Sequence, residues 1–242
     1  MVAKDRKSYY HVRVISMPGR WKLRSVLYLI VIACFLVLSL TSAYGQSGAP
    51  GAQIKLPGPK HDGTVSVEKA LKERRSVRVY KDTPLSMGEV SQVLWAAQGI
   101  TEPSRGLRTA PSARAQYYLT VYLLADNVTG LRPGMYRYVP AGHTLSHVAE
   151  GDVKTALYRT VGQSPIQKAP VVLVIAGAQD RAANANFMYV EAGHAAQNVY
   201  LQGVSLGLGS VVMGGFDPEA VSKTLKLPGN EKALYIMPVG RK

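Results

Sequence analysis

The sequence predicts an α+β fold in which a mainly antiparallel central sheet is flanked by helices. Three observations predict it. Apolar and aromatic runs at Tyr117–Leu124, Gly134–Val139 and Thr144–Val148 follow one another with turn residues between them, as strands do. Val171–Gly177 (VVLVIAG) is apolar throughout, which suits a strand covered on both faces. Helical patterns with cap signals stand on either side of these runs.

In a chain of 242 residues, the first 45 are set apart. Val26–Leu40 is an unbroken apolar run behind Arg20, Lys22 and Arg24, the shape of a secretory signal. Ala43-Tyr44-Gly45 offers a cleavage site before Gln46, and a start at Met17 would shorten the leader to ordinary length. The alternative is a membrane anchor retained through residues 25–40. The chain is therefore expected to be exported and periplasmic, or anchored, with membrane contact only through this segment. Cys34 is the single cysteine, so residues 46–242 hold no disulfide and no thiolate ligand. Beyond residue 45, 22 Lys/Arg face 14 Asp/Glu, a balance of +8 that suits a phosphate-bearing ligand. No basic stripe interleaved with aromatics is present, so nucleic acid is not an expected partner.

Residues 46–63, rich in Gly and Pro, read as a linker or surface arm, and residues 64–242 as one domain. A first helix is expected over Ser66–Arg74. A second opens on a capping box, Ser86 with Glu89, flanked by Leu85 and Val90 as a hydrophobic staple, and runs to Gly99. After the strands comes the longest helical stretch, Asn186–Leu206, whose small and apolar residues are expected to be buried nearly all round, centrally or against a second subunit. Gly209–Gly214 reads as a strand, Asp217-Pro218-Glu219 as a helix start, and Ala233–Val239 as the last strand.

Three places could hold an anion or a flat ligand. Arg74, Arg75, Ser76 and Arg78 gather guanidinium forks and a hydroxyl where a helix gives way to extended chain. The same residues would equally serve as a solvated helix end that complements the C-terminal partial charge. Gly214 and Gly215, between a strand and a capped helix, allow close backbone approach or only a tight turn. Arg108–Ala113 (RTAPSA) places small residues and a rigid proline between helix and strand.

The order of these elements resembles the FMN-dependent nitroreductase family, and within it the SagB-type branch that includes azoline dehydrogenases. The elements are R-R-S-x-R at Arg74–Arg78, T-A-P-S-A at Thr109–Ala113, the Gly130–Tyr138 hairpin, the E-A-G-H-x-A-Q-N helix at Glu191–Asn198, Gly207–Asp217, and P-V-G-R at Pro238–Arg241. The resemblance implies a nitroreductase-like homodimer that binds FMN and exchanges electrons by a ping-pong cycle with a small organic substrate such as a nitroaromatic or quinone. Its donor is NAD(P)H or another reductant, and the direction of reaction stays open. By the same resemblance Arg74, Arg75, Ser76, Arg78 and Arg241 form the phosphate side. Pro111, Ser112 and Ala113 lie against the ring from the second subunit, and Gly214 and Gly215 stand near its reactive edge. Arg114 departs from the pattern, replacing a glycine beside the expected site.

His143 and His147 flank a turn and strand, a poor geometry for a shared metal, and none is expected. His194 is read as a packed, hydrogen-bonded histidine, while Glu191 and Gln197 are read as satisfying buried polar groups at the subunit interface. Two other readings compete: a flavin- or anion-binding protein of the same fold without turnover, and a surface protein whose arginines face anionic lipid.

Overall fold

The computed structural model describes residues 53–182 and 184–242. The expected leader, its cleavage site and Cys34 lie outside the described residues. In chain order the strands are β1 (Gln53–Lys55), β2 (Leu85–Ser86), β3 (Ile100–Glu102), β4 (Leu107–Arg108), β5 (Leu119–Ala125), β6 (Val128–Thr129), β7 (Gly134–Val139), β8 (Thr144–Glu150), β9 (Val171–Ala178), β10 (Leu208–Ser210) and β11 (Glu231–Arg241). The helices are α1 (Val67–Glu73), α2 (Met87–Gln98), α3 (Val153–Val161), α4 (Ser164–Lys168), α5 (Ala185–Ser205) and α6 (Pro218–Thr224).

Seven strands form one sheet in the order β1-β8-β7-β5-β9-β11-β10, with every neighbouring pair antiparallel. The central strand β9 explains the layering. Its side chains alternate: Val171, Leu173 and Ile175 pack with Val90 and Leu94 of α2 and with Ala192 and Ala195 of α5. Val172, Val174 and Ala176 face the other way, onto Leu157, Ile166 and Val221 of α3, α4 and α6. Each Val or Ile so enclosed contributes roughly 1.5–3 kcal/mol of transfer free energy. The fold is thus the α+β arrangement expected, an antiparallel sheet with helices on both faces.

Local chemistry sets the helix ends. Ser66 caps α1 by accepting the Lys69 N–H, and Ser86 and Glu89 close the anticipated box at α2. Asp217 accepts two amides at α6. Several boundaries differ from the expectation. β5 begins at Leu119, because Tyr117 holds φ 50°, outside the extended region. The strand expected over Gly209–Gly214 is only Leu208–Ser210, after which Met213 makes an isolated bridge to Ile236. Gln53–Lys55, inside the stretch expected as a linker, adds to the sheet edge against β8. Helices α3 and α4 were not anticipated; α3 is capped by Asp152, whose side chain accepts the Thr155 N–H.

Helix α5 also departs from expectation. It buries one face, Met188, Ala192, Ala195, Ala196 and Val199, and leaves Phe187 44% and Val190 55% exposed on the opposite side. Helix α1, which packs on α5, shows the same trait in Val67 and Leu71, 64% and 53% exposed.

The segment after α1 is laid along the outer end of the sheet. The Val77 N–H donates to the Ser210 carbonyl at 2.8 Å and the Lys81 N–H to the Arg241 carbonyl at 2.8 Å. Two facing glycines, Gly209 on β10 and Gly240 on β11, make room for it. A Cβ on Gly209 would stand 2.6 Å from Val77 Cγ1, and one on Gly240 2.7 Å from Pro170 Cδ and 3.0 Å from Tyr80 Cβ. Burial beside this shelf pushes the Tyr80 phenol well above its ordinary range.

Candidate functional site

The arginine-rich element leaves α1 and reaches β10 with its side chains sorted by neighbour. The Arg74 guanidinium lies over the Tyr200 ring, 5.1 Å from its centroid. Ser76 Oγ shares a 3.2 Å hydrogen bond with the Tyr200 hydroxyl, which also accepts the Val212 N–H at 2.8 Å. Tyr200 therefore joins two elements that are far apart in sequence, the arginine segment and the stretch before Gly214. Arg75 instead donates to the Lys72 and Arg74 carbonyls at 2.9 and 2.7 Å, covering orphan acceptors at the end of α1. Both bonds use the same nitrogen, Nη1.

Arg241 is likewise engaged. Its Nη2 stands 2.8 Å from Glu89 Oε1 and 3.0 Å from Oε2, the carboxylate that also closes the α2 capping box. Its charge is neutralised by a partner 152 residues away. Among the described residues, no carboxylate pairs with Arg74 or Arg78. Arg78 is exposed. Beneath the segment, Ser210 Oγ is buried without a hydrogen-bond partner.

The Thr109–Tyr117 loop is pinned to a different flank of α5. Glu191 is its hub: one carboxylate oxygen accepts from Ser112 Oγ at 2.7 Å and from the Tyr118 N–H at 3.1 Å, the other from Gln98 Nε2 at 3.3 Å. His194 contacts the Pro111 carbonyl at 2.9 Å, and Asn198 donates to the Thr109 carbonyl at 3.1 Å. Glu191 thus satisfies polar groups within its own chain, and His194 is exposed rather than packed in the core. The loop that these contacts hold is conformationally costly. Arg114, Ala115 and Tyr117 have φ of 54°, 53° and 50°, left-handed values that a side chain disfavours. The place where the family pattern has glycine is thus one where the backbone favours glycine.

Gly214 and Gly215 are exposed at the turn before α6. A Cβ at Gly214 would stand 3.3 Å from Tyr235 Cε1, whereas one at Gly215 would meet nothing within 4 Å. The Gly215 carbonyl accepts from Gln163 Nε2 at 3.2 Å. His143 bonds to Ser91, Tyr138 and the Pro57 carbonyl, while His147 is buried edge-on to Tyr136, so the two imidazoles have separate surroundings.

Tyr200 and Glu191 are nine positions apart, roughly two and a half helical turns, so they project from opposite sides of α5. The arginine segment and the Ser112 loop accordingly flank the helix on two sides, and the exposed apolar strip with Phe187 and Val190 runs between them. Nothing local in the sequence singles out Tyr200, which stands between Val199 and Leu201 in the Gln197–Gly203 turn of α5.

The comparisons with known proteins agree on one family. The sequence profile of the nitroreductase family matches residues 71–241. A curated protein of Methanocaldococcus jannaschii, named as a nitroreductase, is 38% identical over 197 residues, covering 78% of this chain and 96% of the relative. A crystal structure named as a nitroreductase from Ralstonia eutropha JMP134 superposes with a TM-score of 0.68 at 29% identity, over 81% of this chain and 95% of that one. A Desulfovibrio desulfuricans structure, named as a nitroreductase in complex with FMN, shares the fold with a TM-score of 0.54 at 19% identity, over 72% of this chain and 85% of that one.

Proposed function

The chain belongs to the nitroreductase family, and from that premise we propose that it is an FMN-dependent oxidoreductase working as a homodimer. The observation that carries the reading is the placement of Arg74, Ser76 and Arg78: two guanidinium groups without a carboxylate partner among the described residues, a hydroxyl between them, and a backbone held on a glycine shelf. These groups fit a phosphate monoester, which guanidinium forks and a hydroxyl bind through charge-assisted hydrogen bonds. Arg241 and Arg75 would join them with the guanidinium nitrogens that the Glu89 carboxylate and the α1 carbonyls leave open.

The opposite flanks of α5 supply the second argument. If the exposed strip of α5 packs against the same strip of a second copy in parallel sense, the Tyr200 side of one helix meets the Glu191 side of the other. The arginines of one subunit then face Pro111, Ser112 and Ala113 of its partner. The Ser112 loop, fixed by Glu191, His194 and Asn198, would form a rigid wall for the ring, with Gly214 and Gly215 leaving its edge open to substrate. When bound, FMN supplies the centre through which a donor, NAD(P)H or another reductant, and a small acceptor such as a nitroaromatic or quinone exchange electrons in turn. The branch within the family is proposed on the Thr109–Ala113 and Gly130–Tyr138 elements to be the SagB type.

In the same reading residues 1–45 export or anchor the domain; cell fractionation with sequencing of the mature N-terminus tests that part. The central test is titration of purified protein with FMN, followed by flavin fluorescence. Saturable quenching that is lost in Arg74→Ala/Arg78→Ala supports the assignment, and binding indifferent to that change overturns it. Dithionite bleaching followed by reoxidation with a quinone or nitroaromatic separates turnover from binding alone.

A further inference from the structure

A second cationic place lies away from the arginines that follow α1. The β5–β7 ladder begins at Tyr122 opposite Arg137. Before that point β5 continues along β9 through Leu119, Thr120 and Val121, while β7 runs on through Tyr138 to Val139, with Pro140 just beyond it. The edge of Leu119–Val121 that faces β7 therefore has no ladder partner, and a cavity of about 100 Å³ opens in the gap. Arg108, Arg137 and Arg181 all line it, and among the described residues no carboxylate does.

Arg108 is the oriented member. Its guanidinium lies over the Tyr117 ring at 4.6 Å, donates through Nη1 to Gln98 Oε1 at 2.8 Å, and keeps a buried Nε without any partner. Arg181 is steered by donation to the Gln116 carbonyl at 2.7 Å. The nearest acids are already committed. Glu191 reaches Arg108 only electrostatically, its oxygens being taken by Ser112, Tyr118 and Gln98. Glu231 accepts from Thr120 Oγ1 and Tyr122 Oη, both on the opposite face of β5 from Leu119 and Val121. Three like charges around a half-enclosed gap repel one another unless an anion sits among them.

We propose that the gap between β5 and β7 binds a small oxyanion, a single carboxylate or phosphate group, held by Arg108, Arg137 and Arg181. The volume corresponds to roughly three water molecules, enough for such a group. An occupant there would also fix the loop beside it. The Arg108 N–H donates to the Tyr117 hydroxyl, and the Tyr117 N–H donates to Ser112 Oγ.

The experiment is calorimetric titration of the purified full chain with sodium phosphate and, separately, sodium acetate, each against sodium chloride at matched ionic strength. Arg137 and Arg181 are exposed, so Arg137→Gln/Arg181→Gln should keep the fold, as circular dichroism would verify. Saturable binding of either anion that persists in Arg78→Gln, and that is weakened about tenfold or more when Arg137→Gln/Arg181→Gln is added to it, supports the proposal, and the anion that binds identifies the group. Heat no greater than that of chloride overturns it. So does binding lost in Arg78→Gln and retained in the double variant, which would place the anion on the segment after α1. Neither arm uses FMN, so a protein that fails to take up flavin leaves this result intact.

Discussion

The Tyr200 hydroxyl bridges Ser76 Oγ and the Val212 amide, 3.2 and 2.8 Å away, so one phenol fixes the spacing between the arginine segment and the strand end. Tyr200→Phe removes the acceptor of the Val212 N–H. The expected loss is about 1 kcal/mol of stability, the usual net worth of such a bond. FMN affinity should drop several-fold as Ser76 loses its anchor. Urea unfolding and flavin titration of the same variant check both, and unchanged affinity would detach Tyr200 from the ligand.

Arg78 and Arg241 should behave differently although both were expected on the phosphate. Arg78→Ala removes a cation that no carboxylate among the described residues pairs with, and should weaken FMN about tenfold or more. Arg241→Ala should change affinity by less than about threefold, because its charge is spent on Glu89. Its effect belongs to stability, and a double-mutant cycle with Glu89→Gln should give a coupling of about 0.5–1 kcal/mol for this partly exposed pair.

The glycine shelf is steric. Gly209→Ala places a methyl group 2.6 Å from Val77 Cγ1, and Gly240→Ala one 2.7 Å from Pro170 Cδ. Each should destabilise the fold by roughly 1–3 kcal/mol, as overpacking does, and Gly209→Ala should also weaken FMN by displacing the arginine segment. Gly215→Ala, which meets nothing, should alter stability little.

Arg114 sits at φ 54°, ψ 26°. Arg114→Gly should stabilise the protein by about 1 kcal/mol, since the left-handed strain removed is roughly 1–2 kcal/mol and the added freedom of the unfolded chain offsets part of it. Thermal unfolding measures the change, and a lower Tm would show that the arginine side chain holds the loop.

Burial lowers the pKa of His143 below its ordinary 6.5, against a smaller opposing contribution from the Pro57 carbonyl. The unfolded chain then takes up a proton at a pH where the native imidazole stays neutral. Stability from this group is complete above about pH 6.5 and is lost as the pH falls below that value toward the native pKa. Denaturation midpoints measured between pH 8 and 5 should therefore decline less steeply in His143→Gln than in the parent.

What the sequence disclosed and what it hid follow from range. The capping box at Ser86 and Glu89, the doubly buried run of β9 and the cap at Asp217 depend on neighbours a few residues away, and all are present as expected. The Arg241 to Glu89 pair and the Tyr200 bridge join positions more than a hundred residues apart, and nothing local announces them. The arginine motif was legible as a group, yet its members divide: Arg75 covers carbonyls while Arg74 stacks on an aromatic ring. Position 114 was legible only as a departure from a pattern; the backbone angle supplies the physical reason for that pattern.

Ser76 to Lys81 lies alongside β10, the last strand in the sheet order. The same stretch that presents the Arg78 guanidinium to solvent also covers the Ser210 and Arg241 carbonyls, main-chain acceptors that would otherwise be open to pairing with a neighbouring molecule. Substitutions that loosen this stretch should therefore show up as turbidity and poor recovery at high protein concentration as well as in weakened colour.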